Sequence, residues 1–193
     1  SSVLSANETA QDALSAAKRS VLSTENEEDN STQLVSFVVD DQEYGFDIQH
    51  VEEIVRLPDD ISSVPQADFH VIGIINLRDS VLPLVNLRTM FKLERQPLSE
   101  TNRILVVNVT TADGQRSPVG IVVDYVREVL RITEDSVDKV PTMLSQGDDL
   151  NDIVGICRLD GGKRLVSILS SDALFDNPAV REAFKAHSKP QDT

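Results

Sequence analysis

The stretch "VIGIINLRDSVLPLVNLRTMF", residues 71–91, decides how this chain folds. Two aliphatic runs, "VIGIINL" and "VLPLVNL", flank the polar "RDS", and runs of that length joined by so short a turn read as a hairpin of buried strands. Arg78 stands in that turn between residues that belong inside. An arginine so placed lays its stem on apolar neighbours while its head reaches water, which is how interface anchors are built.

Outward from this hairpin the same pattern holds. "QLVSFVV", "YGFDI", "RILVVNV", "PVGIVVD", "DIVGICRL" and "RLVSIL" are short β-forming runs, separated by turn sequences such as "DDQE", "TTADGQRS" and "DGGK". Their number predicts an all-β chain of small barrels or a sandwich. After the last run, "SSDALFDNPAVREAFKAHS" offers a helix cap at Ser170 or Ser171 and restarts at Pro178, which predicts a C-terminal helix and tail over 177–193.

An internal repeat organises these runs. Setting "YGFDIQHVEEIVRLPDDISSVP" (44–65) beneath "VGIVVDYVREVLRITEDSVDKVP" (119–141), with one residue skipped, pairs Gly45 with Gly120, Val51 with Val126, Glu53 with Glu128, Ile54 with Val129, Arg56 with Arg131 and Pro65 with Pro141. A second match follows each copy: Gly73, Ile74 and Leu77 fall on Gly155, Ile156 and Leu159, and Arg78 falls on Asp160. A spacing of about 75 residues (Gly45 to Gly120) to about 82 (Gly73 to Gly155) is too long for a solenoid unit and suits a duplicated β subdomain. The expected division is subdomain 1 over about 33–97 and subdomain 2 over about 98–176, each of roughly five strands. Since the same turn is expected twice with arginine in one copy and aspartate in the other, the hairpin does not require Arg78.

Residues 1–32 differ in chemistry. Glu8, Asp12, Glu25, Glu27, Glu28 and Asp29 outnumber Lys18 and Arg19 among Ser and Ala, which predicts an acidic flexible extension, dispensable for folding. Within it, the residues from about Glu8 to Val21 carry a weak helical pattern with Leu14, Ala17 and Val21 on one face.

Composition narrows the function classes. Of 193 residues 40% are hydrophobic, with six Phe, two Tyr and no Trp, so the core is aliphatic. The formal charge of −14 opposes nonspecific binding to nucleic acid or an anionic membrane and favours protein partners. Cys157, the single cysteine, excludes an internal disulfide and reads as a small buried hydrophobe. No run approaches the roughly 18 apolar residues that span a bilayer, and no leader pattern opens the chain, so a cytoplasmic protein is expected.

Catalytic constellations are missing from the pattern. His50, His70 and His187 have no metal-ligand spacing, no "GxSxG" elbow occurs, and the glycines of "DGGKR" (160–164) form a hairpin turn rather than a phosphate loop. The acidic "ENEEDN" (25–30) lacks the alternation of a calcium loop. Neither metal nor cofactor is expected, and no enzyme.

In order and spacing, "EYGFDIQHVEEIVR", "VIGIINLRDSVLPLVNLR" and "VGIVVDYVREVL" resemble the CheW family of chemotaxis coupling proteins over residues 33–176, the "NLR…LP…NLR" block being the specific part. That resemblance implies two interlocked five-stranded β-barrels in a non-catalytic adaptor that links the cytoplasmic tips of chemoreceptors to the histidine kinase CheA. It implies that receptor tips dock in the groove between subdomains, with Val51, Glu53, Ile54, Arg78 and Val126 at the contact by motif match. The CheA regulatory domain, and other CheW-like domains in ring assemblies, are implied to pair barrel end to barrel end. Two positions depart from the family pattern: Asp79 replaces glycine and Asn86 replaces aspartate. Asp tolerates a left-handed turn, so the hairpin is expected to survive, with Asp79 placed to pair with Arg78. The long acidic extension also suits an alternative, a CheW-like module of a larger signalling protein, either CheV-like or the C-terminal regulatory domain of a kinase.

Overall fold

A computed structural model describes residues 2–21, 31–67, 69–110, 113–140 and 152–175. The chain forms strands β1 (Ser31–Val39), β2 (Gln42–Asp47), β3 (Val51–Arg56), β4 (Val71–Leu77), β5 (Ser80–Asn86), β6 (Arg103–Thr110), β7 (Arg116–Val123), β8 (Tyr125–Thr133), β9 (Val137–Lys139), β10 (Ile153–Leu159) and β11 (Arg164–Leu169). Among the described residues three α-helices accompany them: α1 (Ser2–Val21), α2 (Leu87–Met90) and α3 (Ser171–Phe175). The runs that alternate or crowd Val, Ile and Leu are the strands, and each polar "DDQE"-type break is a turn.

The strands make two sheets. One has the order β8-β1-β2-β11-β10-β9 and the other β3-β6-β7-β5-β4. The all-β, two-part expectation therefore holds, but the sheets do not follow the division at 97/98. The second sheet is one continuous stretch, β3 to β7, whereas the first joins β1 and β2 to β8 through β11. The reason lies in the repeat itself. In each copy the segment after the strand that carries the repeated glycine crosses to the opposite sheet, β3 leaving β2 to pair with β6 and β8 leaving β7 to pair with β1. This exchange of one strand is the interlocking.

Glycines mark where the sheets draw tight. A Cβ on Gly73 would lie 2.5 Å from the Ser62 carbonyl oxygen, because the 62–74 bridge brings that backbone directly over β4. A Cβ on Gly120 would lie 2.6 Å from Leu84 and 2.7 Å from Ile104, so the glycine is what lets β7 fit between its neighbours. The largest apolar cluster runs through both sheets, from Val35, Phe37 and Phe46 to Leu105, Val107 and Ile121. Cys157 is fully buried and free.

Over Ser2–Val21 the N-terminal segment departs from the expectation of a flexible extension. It is a helix of 20 residues whose Ala10, Leu14 and Ala17 are buried in the main core cluster. The reading failed because the buried positions are mostly alanine, which composition scores as solvent-tolerant. At the other end, α3 begins as expected, with the Ala173 N–H donating to the Ser170 hydroxyl at 3.2 Å. The helix expected beyond Pro178, His187 and the "ENEEDN" run lie outside the described residues.

Candidate functional site

β3 and β8 are the outer strands of their sheets, and each presents an unpaired edge. α1 packs on both, chiefly on β8, and so closes the seam between the sheets. Val51 and Ile54 of β3 and Val126 of β8 are buried there, in one apolar cluster with Ala10, Leu14 and Ala17 of the helix. Three of the five residues assigned to partner contact by resemblance thus have no exposed surface while α1 is in place.

Glu53 and Arg78 are brought together. Arg78 Nη2 donates to Glu53 Oε2 at 3.0 Å, with the arginine side chain 77% exposed. The expected pairing of Arg78 with Asp79 gives way to this longer-range one. The hairpin also departs from expectation, because its left-handed residue is Arg78 itself, at φ 57°, and not Asp79. Asp160, the repeat partner of Arg78, is likewise left-handed at φ 52°. The two turns are not the same turn, however: Leu77 pairs with Ser80 across two residues, and Leu159 pairs with Arg164 across four. A left-handed backbone turns the arginine out of the strand plane and toward β3.

Sequence reading missed the polar clasp that fixes α1. Asn7, fully buried, accepts from the Val126 N–H at 2.7 Å and donates to the Thr101 carbonyl at 3.0 Å. Lys18 donates to the Ile48 carbonyl, and Glu8 pairs with Arg56. Arg56 faces Arg103 across the β3–β6 ladder. Burial lowers the pKa of Arg103 and the nearby Arg56 charge lowers it further, with Glu8 and Glu100 opposing. Arg103 donates through Nη1 to the Glu100 and Asn102 carbonyls, while its buried Nε has no partner. Nothing in the local sequence flags these pairs, since residues 94 and 119 positions apart make them.

On the first sheet a denser network ties three strands. Arg164 holds Glu43 in a two-pronged pair, at 2.9 Å and 2.6 Å, and reaches Glu128 at 2.9 Å, while Arg127 adds a bond to Glu43 at 2.8 Å. Burial alone would raise the Glu43 carboxyl, but the Arg164 hydrogen bond and charge, with Ser36 and Arg127, hold it below the usual range. Arg164 is raised above its ordinary value, first by its bond to Glu43. Since Glu128 is the repeat partner of Glu53, both copies use a glutamate on the crossing strand to hold an arginine of the following hairpin. One pair is exposed and the other half-buried.

Farther from the seam, Arg88 on α2 bonds Asp124 at 2.8 Å and Asp40 at 3.3 Å, joining the second sheet to the β1–β2 turn. Asn86 performs the helix cap expected of an aspartate, accepting from the Arg88 N–H at 2.9 Å. His50 is exposed and His70 contacts the Thr89 hydroxyl at 3.1 Å. Among the described residues no group of His, Cys, Asp and Glu is arranged to hold a metal ion. No helix of the described residues is long and apolar enough to cross a membrane. Aliphatic side chains do stand open on the two hairpins: Val81 of β5 is 58% exposed, Val154 of β10 50% and Leu165 of β11 53%.

The pattern of the CheW-like domain matches residues 33–179. The chain belongs to the CheW-like domain family. It is 32% identical to the chemotaxis protein CheW of Helicobacter pylori, over 77% of this chain and 86% of that one. It is 31% identical to the CheW of Thermotoga maritima, over 78% and 91% respectively. Its fold is similar to the crystal structure of the scaffolding protein CheW from Thermoanaerobacter tengcongensis, with a TM-score of 0.64 at 29% identity, covering 77% of this chain and 94% of the other. CheW proteins are chemotaxis scaffolds and not enzymes, in keeping with a site made of an apolar seam and ion pairs. The match begins at residue 33, so α1 lies outside it.

Proposed function

We propose that this CheW-like chain couples chemoreceptor tips to the histidine kinase CheA, in the cytoplasm beneath membrane-bound receptor arrays. The observation that carries the receptor half is the Glu53–Arg78 pair at the open rim of the β3/β8 seam, with Val51, Ile54 and Val126 forming the floor between the sheets. A rim arginine that is mostly exposed, oriented by a left-handed turn and steadied by one carboxylate, is prepared to exchange that carboxylate for one on a partner helix. The kinase half rests on Val81, Val154 and Leu165, aliphatic side chains held open on the two hairpins. They suit an end-to-end contact with the CheA regulatory domain or with further CheW-like domains in a ring.

Arg78→Glu tests the assignment. The pair it removes is exposed, so folding stability should fall by less than about 1 kcal/mol. Receptor-tip binding and kinase activation should be largely lost and CheA binding kept. Separate binding assays decide: loss of both partners together, or unfolding of the variant, makes Arg78 structural and the rim assignment wrong.

A further inference from the structure

We infer that the β3/β8 seam is a helix-binding groove which α1 occupies from within the chain, and that an acidic partner helix, the receptor tip in the reading above, binds by displacing it. The inference rests on that reading and adds its regulation.

Four observations support it. First, the seam is built for a helix: two edge strands from different sheets leave an apolar trough, and an amphipathic helix laid along such a trough is a recurring mode of recognition. Second, the resident helix is held more by polar bonds, from Asn7, Lys18 and Glu8, than by large apolar side chains. Its buried seam among the described side chains is Asn7, Ala10, Leu14 and Ala17, spaced alternately three and four residues apart, of which Leu14 alone is a large apolar residue. Burial free energy scales with apolar area, and alanines contribute little of it. Third, α1 lies outside the family match, which covers residues 33–179, so the residues that hold it in the seam are not part of the matched pattern on their helix side.

The fourth observation gives the chemistry of the competing helix. Arg56 and Arg103 lie opposite each other on β3 and β6, an arrangement of like charges that is unfavourable unless a counter-charge is nearby. α1 supplies Glu8, which pairs with Arg56. Arg103 is itself buried, its Nε unpaired, and Glu8 of α1 is among the charges that favour its protonated form. A partner helix that carries a carboxylate at the place of Glu8, small residues along its seam and a second carboxylate for Arg78 would satisfy more of the groove than α1 does. Because the two helices exclude each other, the partner's apparent affinity is its intrinsic affinity reduced by the fraction of chains with the groove open.

The test uses the full chain and a purified helical-hairpin fragment of a chemoreceptor tip from the same organism. Leu14→Glu puts a carboxylate into the apolar seam of α1 and should raise affinity for the fragment at least tenfold, while affinity for the CheA regulatory domain stays within twofold. A synthetic peptide of residues 2–21 added to that variant should lower fragment affinity again. With the unaltered chain, saturating fragment should speed amide hydrogen exchange in α1 and leave β3 and β8 protected. Equal fragment affinity for both chains, or α1 amides that stay protected in the saturated complex, would overturn the inference and leave the coupling function standing. Failure of the fragment to bind either chain, with α1 shown by exchange to be released in Leu14→Glu, would overturn the receptor reading along with it. If Leu14→Glu loses its fold, as loss of CheA binding would reveal, the exchange experiment on the unaltered chain decides alone.

Discussion

Arg78 holds a backbone conformation that an arginine disfavours. Left-handed φ brings the Cβ of an L-residue against its own carbonyl, at roughly 1–2 kcal/mol, while glycine adopts it freely and loses more chain entropy on folding. Arg78→Gly should therefore raise stability by up to about 1 kcal/mol while abolishing receptor binding, a combination that thermal melts and a receptor assay would establish and that marks the side chain as functional. Glu43 makes a different case. Its carboxyl is held below the ordinary range, so its contribution to stability is complete above the unfolded glutamate pKa of about 4.3 and disappears as pH falls through the lower folded value. Glu43→Gln should cost about 2 kcal/mol at pH 7, because Arg164 and Arg127 lose a buried partner, and progressively less as pH falls through the lowered folded value and the native glutamate takes up its proton. Urea melts of both chains over that fall in pH measure the difference. Neither residue's pairing was legible in the sequence. The motif singled out Arg78 and Glu53 but not their bond, since they are 25 positions apart, and nothing distinguishes Glu43 from a solvated acid until Arg164 is folded against it.

At the level of elements, strands were the legible part. "VIGIINL" and "RLVSIL" could bury their alternation only as β, and both are strands within a residue of the expected limits. The helical pattern with Leu14 and Ala17 on one face was legible, but not that α1 packs, because Asn7 and Ala10 look like solvent-facing residues until two sheet edges are placed under them. Close approach between elements was legible only as repeated glycines. Gly73→Ala should lower stability by about 1–3 kcal/mol, since its Cβ would meet the rigid Ser62 carbonyl and not a side chain able to swing away. A denaturant titration showing no loss would mean that the 62–74 bridge is looser than described.

For the whole molecule, the acidic surplus and the open aliphatic hairpins make opposite demands on a partner. If kinase docking uses Val81, Val154 and Leu165, its affinity should change by less than about threefold between low and moderate salt, because screening acts on charges and leaves apolar burial intact. Leu165→Glu should weaken CheA binding at least tenfold with receptor binding unchanged; calorimetry at two salt concentrations and with the variant tests both halves. The strand exchange between the sheets has a consequence for synthesis. The second sheet is contiguous in the chain and is complete once β7 has emerged, but β1 must wait for β8, with Ser36 and Glu128 meeting across 92 positions. At ribosomal speeds of about 5–20 residues per second, β1 and β2 remain an unfinished hairpin with a bare edge for about 5–20 s. The nascent protein should thus acquire protease resistance in β3 through β7 first, and the newborn β1–β2 pair is where a chaperone has most to guard.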